Sequence, residues 1–291
     1  LSNQLASKGF KCYIGSKNQI RHLMKKVKKF IYIDKGYHKD KSEKLYNFIK
    51  SNGGLIINLD EEGALDFSDN STLSTIRYPP SMQSQVDYIF LWGSNQYELI
   101  RSSTEKMNKL IVTGHPKFEL LKPKYHSFYD TQVNEIKKKY GKFILINTNM
   151  ASGNNIAGDS SVIQSYQDRV PSIKEIINLD KKKIEDFKEM ISKLSERTKH
   201  KIIIRPHPEE RVDIYMNYFK DNSNVLIVNE GAVIPWLLSC EVMIHADCTT
   251  GIESFFLGKR SISFVSKSWD QSFVSTLPLK ASICFNDTES V

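Results

Sequence analysis

Short apolar runs alternate along the chain with longer amphipathic stretches. In the first half, the apolar runs predict strands at residues 12–16, 30–34, 55–60, 88–93 and 110–114. In the second half, they predict strands at residues 143–149, 201–206, 224–228, 242–247 and 261–265. Helical periodicity is clearest at residues 38–51, 130–140, 180–198 and 251–257. Continuous apolar strands that alternate with helices are typical of parallel sheets covered by helices on both faces.

This alternation predicts an α/β protein with two doubly wound, Rossmann-like domains and a cleft between them. The lysine-rich stretch KPKYHSFYDTQVNEIKKKYGK, residues 122–142, interrupts the alternation and is predicted to be a linker. We therefore expect a first domain at residues 1–125 and a second at residues 126–291. The first residues resemble a helix that runs into a strand, and the last form no evident element. We expect a further strand before residue 1 and more chain after residue 291.

Composition and charge limit the class of protein. Hydrophobic residues make up 40% of the chain and charged residues 25%, as in soluble globular proteins. No apolar run approaches the roughly 20 residues that span a bilayer. The formal charge is +8, and six Lys or Arg residues lie between Lys17 and Lys29. A basic run of this kind suits an anionic membrane surface or nucleic acid, or it is a plain solvated helix face. We expect no nucleic-acid partner.

Cysteine spacing and absent motifs narrow the chemistry further. The four cysteines are widely spaced and form no C-x-x-C pair, which favours a cytoplasmic protein without a zinc site. The sequence contains no G-x-G-x-x-G, P-loop, H-E-x-x-H or G-x-S-x-G motif, which argues against dehydrogenases, P-loop ATPases and serine hydrolases. It also contains no D-x-D pair that would hold the metal of a nucleotide sugar. A metal-independent reaction is predicted.

The first chemically distinctive strand end is LIINLDEEG. The predicted strand ends at Asp60, and Glu61, Glu62 and Gly63 follow at its tip. Two adjacent carboxylates raise each other's pKa, which suits a general base that works near neutral pH. The alternative is an acidic turn before a helix, where a carboxylate is stabilised by the helix dipole.

The second is IIIRPHPEE, in which two prolines end an apolar strand because each lacks a backbone donor. Arg205 and His207 then lie at the carboxyl end of the strand, where open α/β sheets bind ligands. The planar guanidinium of Arg205 suits a phosphate or carboxylate. His207 can donate to a phosphate oxygen and, when charged, protonate it. The alternative is that the prolines simply shape a turn.

The third is IHADCTTGIES, where a strand ends and a helix begins near Gly251. Thr250 and Glu253 match a capping box. A helix N-terminus with Thr249 and Thr250 is also an anion site, because its backbone N–H groups are free and its dipole attracts negative charge. A fourth strand end carries small polar residues that suit a loop facing a ligand: Asn147, Thr148 and Asn149.

Taken together, these motifs resemble those of bacterial surface carbohydrate biosynthesis proteins and, more distantly, bacterial sialyltransferases, polysialyltransferases and Kdo transferases. The matching stretches are LASKGFKCYIGSK, LDEEG, LWGSNQYELI, VTGHPKFELL, ILINTN, IIIRPHPEE and IHADCTTGIES. Those transferases carry a D/E-D/E-G motif, an HP motif and a Ser/Thr motif in that order. Here the order is Glu61-Glu62-Gly63, then His207-Pro208, then Thr249-Thr250.

The resemblance implies a metal-independent GT-B glycosyltransferase whose donor is a CMP-activated acidic sugar of eight or nine carbons. It implies that Glu61 or Glu62 deprotonates the acceptor, a lipid-linked or surface glycan. It further implies that His207, next to Pro208, binds the CMP phosphate and assists its departure, and that Thr249 and Thr250 contact phosphate. By the same resemblance, Glu253 binds the ribose hydroxyls. A second motif, His115-Pro116, is interpreted as structural.

Three alternatives remain from the sequence. The RPHP strand end and the Thr-rich helix start also resemble CDP-glycerol or CDP-ribitol phosphotransferases of teichoic-acid synthesis. In the related Kdo transferases, an acidic nucleophile can replace the base and configuration is retained. A non-catalytic subunit that binds nucleotide or glycan on the same fold belongs to a different class. The acid pair in the first half favours the sugar transferase.

Overall fold

The computed structural model describes residues 1–63, 73–102, 104, 107–168 and 170–291. The described residues form two compact units, one from residues 1–63 and 73–117 and one from residues 118–291. The strands are β1 (Ile31–Asp34), β2 (Leu55–Asn58), β3 (Tyr88–Leu91), β4 (Leu110–Val112), β5 (Phe143–Asn147), β6 (Lys201–Arg205), β7 (Val225–Ile227), β8 (Val242–His245), β9 (Ser261–Phe264) and β10 (Ile283–Phe285).

The helices in chain order are α1 (Ser2–Ser7), α2 (Lys17–Met24), α3 (Lys41–Ser51), α4 (Pro80–Gln85), α5 (Ser94–Arg101), α6 (Pro116–Glu119), α7 (Asp130–Tyr140), α8 (Asp159–Tyr166), α9 (Ile173–Arg197), α10 (Asp213–Tyr218), α11 (Val233–Ser239), α12 (Thr249–Phe256) and α13 (Thr276–Lys280). A π-helical turn forms at Leu73–Arg77, and 3-10 turns form at Met107–Lys109, Pro123–Tyr129 and Gln271–Phe273.

The first unit contains a parallel sheet in the order β1-β2-β3-β4. Because the chain advances in one direction and crossovers between parallel strands are right-handed, α3, α4 and α5 all cover one face. Tyr46, Ile56 and Ile89 are fully buried in that layer. On the opposite face, Ile31, Leu55 and other apolar strand residues stay exposed. The expectation of helices on both faces therefore fails for the described part of this sheet.

The second unit contains a parallel sheet in the order β10-β9-β8-β5-β6-β7. The chain starts in the middle at β5, moves outward to β7, and then crosses to β8 on the other side. Helices therefore cover both faces. One core contains Phe187 and Ile204, and the other contains Phe143 and Trp236. This sheet is doubly wound, as the apolar strands predicted.

The reversal of strand order places a topological switch point between β5 and β8. In open α/β sheets, the loops that follow two such strands diverge to opposite faces and leave a crevice in which ligands bind. Asn147 at the end of β5 pairs in register with Arg205 on β6 and with His245 on β8. Three of the predicted polar strand ends therefore lie side by side at this edge.

Most predicted elements form, and the differences have physical causes. The predicted strand at residues 12–16 is wrong. This segment is not a strand, and Ile14 is 84% exposed. Its polar end is instead a helix start, because Ser16 and Gln19 form a capping box for α2. Strand β10, which the sequence pattern missed, pairs with β9 although its residues are largely exposed.

The predicted linker is structured and belongs to the second unit. Residues 122–142 contain the 3-10 turn and α7, and Val133 of α7 is buried. The change between units falls between Lys117 and Phe118, before the expected boundary at residue 125. The Phe118 ring packs against Phe256 at a centroid distance of 4.7 Å, and Leu121 is buried in the core with Trp236. These apolar contacts bring the start of the segment into the second unit.

Candidate functional site

The turn after β6 presents His207 at the carboxyl edge of the second sheet. The Glu210 N–H donates to the His207 carbonyl at 2.8 Å and closes the turn. The Glu209 N–H donates to His207 Nδ1 at 3.2 Å, so the neutral ring carries its proton on Nε2. The ring is half-buried, whereas Pro208 is exposed. This arrangement suits the predicted role of His207 as a donor to phosphate.

Arg205 makes different contacts from those expected of a phosphate ligand. Its Nη2 donates to the carbonyls of Glu230 and Gly231 at 3.1 and 2.8 Å. Its guanidinium stacks on Trp236, 5.1 Å from the ring centroid. Burial lowers the pKa of Arg205 to about 10, which still leaves it charged at neutral pH. In this structure Arg205 holds the loop after β7, and phosphate binding by it stays a prediction.

The three polar residues at the end of β5 differ in their hydrogen bonds. Thr148 Oγ1 donates to the carboxylate of Glu210 at 2.8 Å. Asn149 Nδ2 donates to Asp247 Oδ1 at 3.1 Å. Asn147 Nδ2 and Asn149 Oδ1 are buried and have no hydrogen-bond partner among the described residues. Buried amide groups are normally satisfied, so these two atoms favour a polar ligand or water at this edge.

Asp247, at the end of β8, is the centre of a buried charged cluster. Lys183 of α9 lies 3.1 Å from Asp247 Oδ1, and the Ser275 N–H donates to Asp247 Oδ2 at 2.9 Å. Burial opposes its charge, but Lys183 and these donors hold the pKa of Asp247 below its ordinary value. Burial raises the pKa of neighbouring Asp180 to about 7. The cluster ties α9 and the start of α13 to the switch point.

Helix α12 begins at the switch point with Cys248 as its N-cap residue and no side-chain cap. The predicted capping box of Thr250 and Glu253 is therefore wrong, because Thr250 is already inside the first turn. Thr249 and Thr250 are half-buried in that turn, and Glu253 lies one turn further and is also half-buried. Within this turn, the Gly251 N–H donates to the Cys248 carbonyl at 3.0 Å, and Thr250 contacts the Cys248 thiol. The positive end of the helix dipole still favours an anion at this helix start.

His245 fixes how α12 starts. It is fully buried, its Nδ1 accepts from the Cys248 N–H at 3.2 Å, and its Nε2 lies 2.9 Å from Ser282 Oγ. Burial lowers the pKa of His245 to about 4, so the ring is neutral. A Cβ on Gly251 would lie 2.4 Å from His245 Nε2, so only glycine lets the helix approach the ring this closely.

The predicted acid pair lies at the carboxyl end of β2 in the first unit. Glu61 forms a solvent-exposed ion pair with Lys35 at 3.2 Å. Glu62 pairs with Arg77 at 2.9 Å, and Arg77 also donates to Asp60 Oδ1 at 2.9 Å. The two adjacent carboxylates are therefore bound to separate cations. Asp60 itself is buried, and burial raises its pKa against the opposing charge of Arg77.

Gly63 and Gln96 set the shape of the acidic turn. A Cβ on Gly63 would lie 2.2 Å from the Tyr78 hydroxyl, so the turn can pack here only with glycine. Gln96 Nε2 donates to the Gly63 carbonyl and to the Tyr78 hydroxyl. Trp92 Nε1 donates to the Asp60 carbonyl at 2.8 Å. The glycine of the acidic motif is thus explained by packing.

The second His-Pro motif lies at the end of β4 in the same unit. The Lys117 N–H donates to His115 Nδ1 at 3.2 Å, as in the turn at His207. The His115 ring packs on Trp92 at a centroid distance of 5.1 Å. Burial lowers the pKa of His115, Lys117 lowers it further, and Glu61 opposes the shift.

The sequence patterns did not identify three residues that stabilise the candidate sites through long-range contacts. Glu210, Lys183 and Arg77 each bind residues that are distant in the chain, and no local pattern reveals such contacts. A Glu directly after RPHPE and a Lys on the apolar face of a long helix were the available indications. Among the described residues, no group of three or more His, Cys, Asp or Glu side chains is placed to hold a metal ion. Metal independence stays a prediction.

Comparison with known proteins defines the fold. No protein-family model matches the chain, and no curated protein sequence matches it. The solved UDP-GlcNAc 2-epimerase of Methanocaldococcus jannaschii, in complex with UDP-GlcNAc and UDP, is similar with a TM-score of 0.60 and 14% identity. The similarity covers 94% of this chain and 69% of that one.

Two further structures share this architecture. The S. aureus MnaA–UDP structure gives a TM-score of 0.54 at 12% identity, covering 87% of this chain and 61% of that one. A histidine variant of the wall teichoic acid polymerase TagF, soaked with CDPG, gives 0.52 at 12% identity, covering 89% and 60%. At such identities the likeness establishes the fold. The chain has the parallel α/β units of GT-B-like proteins, as predicted.

Among the described residues, no helix is both long and apolar enough to cross a membrane.

Proposed function

We propose that this protein is a metal-independent GT-B glycosyltransferase. It transfers an acidic sugar, a sialic-acid-like nonulosonate or Kdo, from a CMP-activated donor to a lipid-linked or surface glycan. The observation that carries the proposal is the switch point of the second sheet. There, His207, the Asn147 Nδ2 group, which has no partner among the described residues, and the start of α12, which has no side-chain cap, share one edge. This edge combines donors that suit a nucleotide phosphate.

In the proposed reaction, the second unit binds the nucleotide. The N–H groups of the first turn of α12, with Thr249 and Thr250, bind the phosphate. His207 donates its Nε2 proton to a phosphate oxygen, because Nδ1 is already engaged by the Glu209 N–H. As the glycosidic bond to phosphate breaks, negative charge grows on the leaving CMP, and these donors stabilise it. Glu253 is proposed to bind the ribose hydroxyls.

The first unit supplies the base for the acceptor hydroxyl. Glu62 is held by Arg77, which also binds buried Asp60, and its carboxylate is thereby engaged. Among the described residues, the ion-pair partner of Glu61 is Lys35, and both side chains are more than half exposed. An exposed ion pair of this kind is weak and easily exchanged. We therefore assign the base to Glu61, and Glu62 to a structural role in the turn.

The main alternative is a phosphotransferase that uses CDP-glycerol. It is favoured by the similarity to TagF, which was soaked with CDPG. In that case the same helix start would bind a diphosphate. The similar structures of the UDP-GlcNAc 2-epimerase and of MnaA contain UDP or UDP-GlcNAc, so a uridine nucleotide is the contrasting ligand. A non-catalytic binding subunit would bind nucleotide without turnover.

Thermal shift with CMP, CDP, UDP and GDP tests the choice of nucleotide. A ligand that binds only the folded state raises the melting temperature. We expect selective stabilisation by CMP or CDP, and the shift should disappear in His207→Ala. His200→Ala is the matched control, because this exposed histidine lies just before the opposite end of the same strand. Preferential stabilisation by UDP or GDP would contradict the cytidine assignment.

Transfer assays then separate the remaining alternatives. Purified protein is incubated with CMP-sialic acid or CMP-Kdo and a glycan acceptor, and separately with CDP-glycerol. Release of CMP with sugar transfer supports the proposal, whereas release of CMP from CDP-glycerol supports the phosphotransferase. Nucleotide binding without turnover of any donor would identify the binding subunit.

A further inference from the structure

Glu210 is a buried carboxylate at the end of the His-Pro turn. Glu210 is fully buried, and a buried charge is costly unless hydrogen-bond donors satisfy it. Oε1 accepts from Thr148 Oγ1 at 2.8 Å, from the Met150 N–H at 2.9 Å and from the His207 N–H at 3.3 Å. Oε2 accepts from the Tyr215 hydroxyl at 2.7 Å. Four donors from three parts of the chain therefore converge on one side chain.

Three of these donors come from two loops that follow neighbouring strands, and the fourth, Tyr215, lies in α10. Thr148 and Met150 belong to the loop after β5, and His207 to the turn after β6. The same loops also join through their backbones, since Asn155 forms an antiparallel bridge with Glu210 and the Ile156 N–H donates to the Glu209 carbonyl at 2.9 Å. The carboxylate lies at the junction of the loops and fixes one against the other.

The turn held by Glu210 also sets the state of the His207 ring. The Glu209 N–H donates to His207 Nδ1 within the same turn that runs from His207 to Glu210. Glu210 closes it twice, through its own N–H to the His207 carbonyl and through its carboxylate to the His207 N–H. Loss of the carboxylate would leave Thr148, Met150 and Tyr215 donors unsatisfied in the interior and loosen the turn.

We propose that Glu210 is a positioning residue that holds His207 in its Nε2–H form beside the end of β5. Glu210 does not touch the ligand itself and acts through His207 and Thr148. Only the identity of the ligand, a nucleotide phosphate, rests on the function proposed above. The hydrogen-bonded state of His207 belongs to the unliganded protein and can be measured without any substrate.

The test compares Glu210→Gln with Glu209→Gln in the full chain. Gln keeps the shape of either side chain and removes its charge, and the Glu209 side chain is exposed. Nitrogen-15 NMR of histidine-labelled protein reports the tautomer of His207, whose signal is assigned by its loss in His207→Ala. We expect wild type and Glu209→Gln to show the Nε2–H form. In Glu210→Gln we expect averaged tautomers and CMP affinity lower by about tenfold or more, as for loss of a hydrogen bond to a charged group.

Milder variants cover the case in which Glu210→Gln does not fold. Tyr215→Phe and Thr148→Val each remove one donor to the carboxylate and should shift the His207 signal in the same direction by a smaller amount. Folded variants whose His207 signal matches wild type would overturn the positioning role. If the signal changes in Glu210→Gln but wild type binds no CMP, the nucleotide assignment fails and the positioning role stands.

Discussion

The two units carry His-Pro turns that are alike locally and differ in their surroundings. In each, the backbone N–H two residues after the histidine donates to ring Nδ1 at 3.2 Å. The turn at His207 closes over buried Glu210, on a strand next to the switch point of the second sheet. The turn at His115 follows β4, the last described strand of a sheet whose order never reverses, and its ring packs on Trp92.

The His-Pro turn orients the histidine ring in both units. The position of the strand in its sheet determines whether there is room for a ligand beside that ring. In both turns, ring Nδ1 accepts from the N–H two residues later, and at His207 the turn is additionally held by the Glu210 carboxylate. At the switch point, loops diverge to opposite faces and leave room for a ligand. In the described strands of the first sheet, all crossovers lie on one face, and an indole fills the space beside the histidine. The proposed nucleotide edge of the second sheet and the proposed acceptor side of the first unit should therefore respond differently to equivalent substitutions.

The largest expected effect is at the nucleotide edge. His207→Ala removes a proton donor positioned for the leaving phosphate, so transfer should slow by about 100- to 10,000-fold and CMP should bind less tightly. His115→Ala, the equivalent change in the other turn, should keep most of the activity. Steady-state transfer rates and calorimetric CMP affinities measure both variants. Equal loss of transfer in His115→Ala would contradict the distinction between the two turns and show that both take part in the reaction.

The acid pair should separate catalysis from nucleotide binding. Glu61→Gln should slow transfer by a factor similar to that of His207→Ala while CMP affinity stays near wild type, because the base acts on the acceptor. Glu62→Gln should have a smaller effect on the rate, through the Arg77 contact. Glu98→Gln, an exposed acid of the same unit, is the control. A Glu61→Gln variant that lost CMP binding would move the acid pair to the nucleotide edge.

A smaller effect is expected from the basic segment of the first unit. Lys25, Lys26 and Lys28 are exposed after α2, whose Met24 is buried. Replacing these three by Gln should weaken binding to vesicles that contain acidic lipid, and salt should weaken wild-type binding because charges are screened within about 8 Å. Co-sedimentation with vesicles measures this. The matched control replaces Lys137, Lys138 and Lys139 of α7. Equal binding to neutral vesicles would contradict membrane contact through this segment and favour the interpretation as a solvated surface.

The smallest expected effect is that of chelation. Transfer should continue unchanged in EDTA, because the donors proposed at the nucleotide edge are a histidine, hydroxyls and backbone N–H groups. Rates are measured before and after chelation and again after adding magnesium or manganese. Loss on chelation with recovery on metal addition would show that a cation shares the work assigned to His207 and α12.

The alternation of apolar strands and helices determined the fold class, because strands separated by helices pair as parallel sheets. The number of faces covered by helices differs between the two sheets, and the alternation did not predict that difference. The paired prolines determined where β6 ends, and that end placed His207 at the sheet edge. The same local reasoning failed at residues 12–16. This apolar run pairs with none of the described strands and therefore forms no strand itself. It also failed for the predicted capping box of α12, since helix starts depend on what precedes them, here the contact from Cys248 to His245.

Only the tertiary structure decided which polar groups share a site. Asn147, Arg205 and His245 lie far apart in the chain, and they become neighbours because β5 pairs with β6 on one side and β8 on the other. Glu61 and Glu62 likewise differ because one pairs with Lys35 and the other with Arg77, two residues that are distant in the chain. Local sequence sets backbone ends and ring tautomers through contacts within a few residues. Strand order and long-range hydrogen bonds set the neighbours, and no short stretch of sequence contains that information.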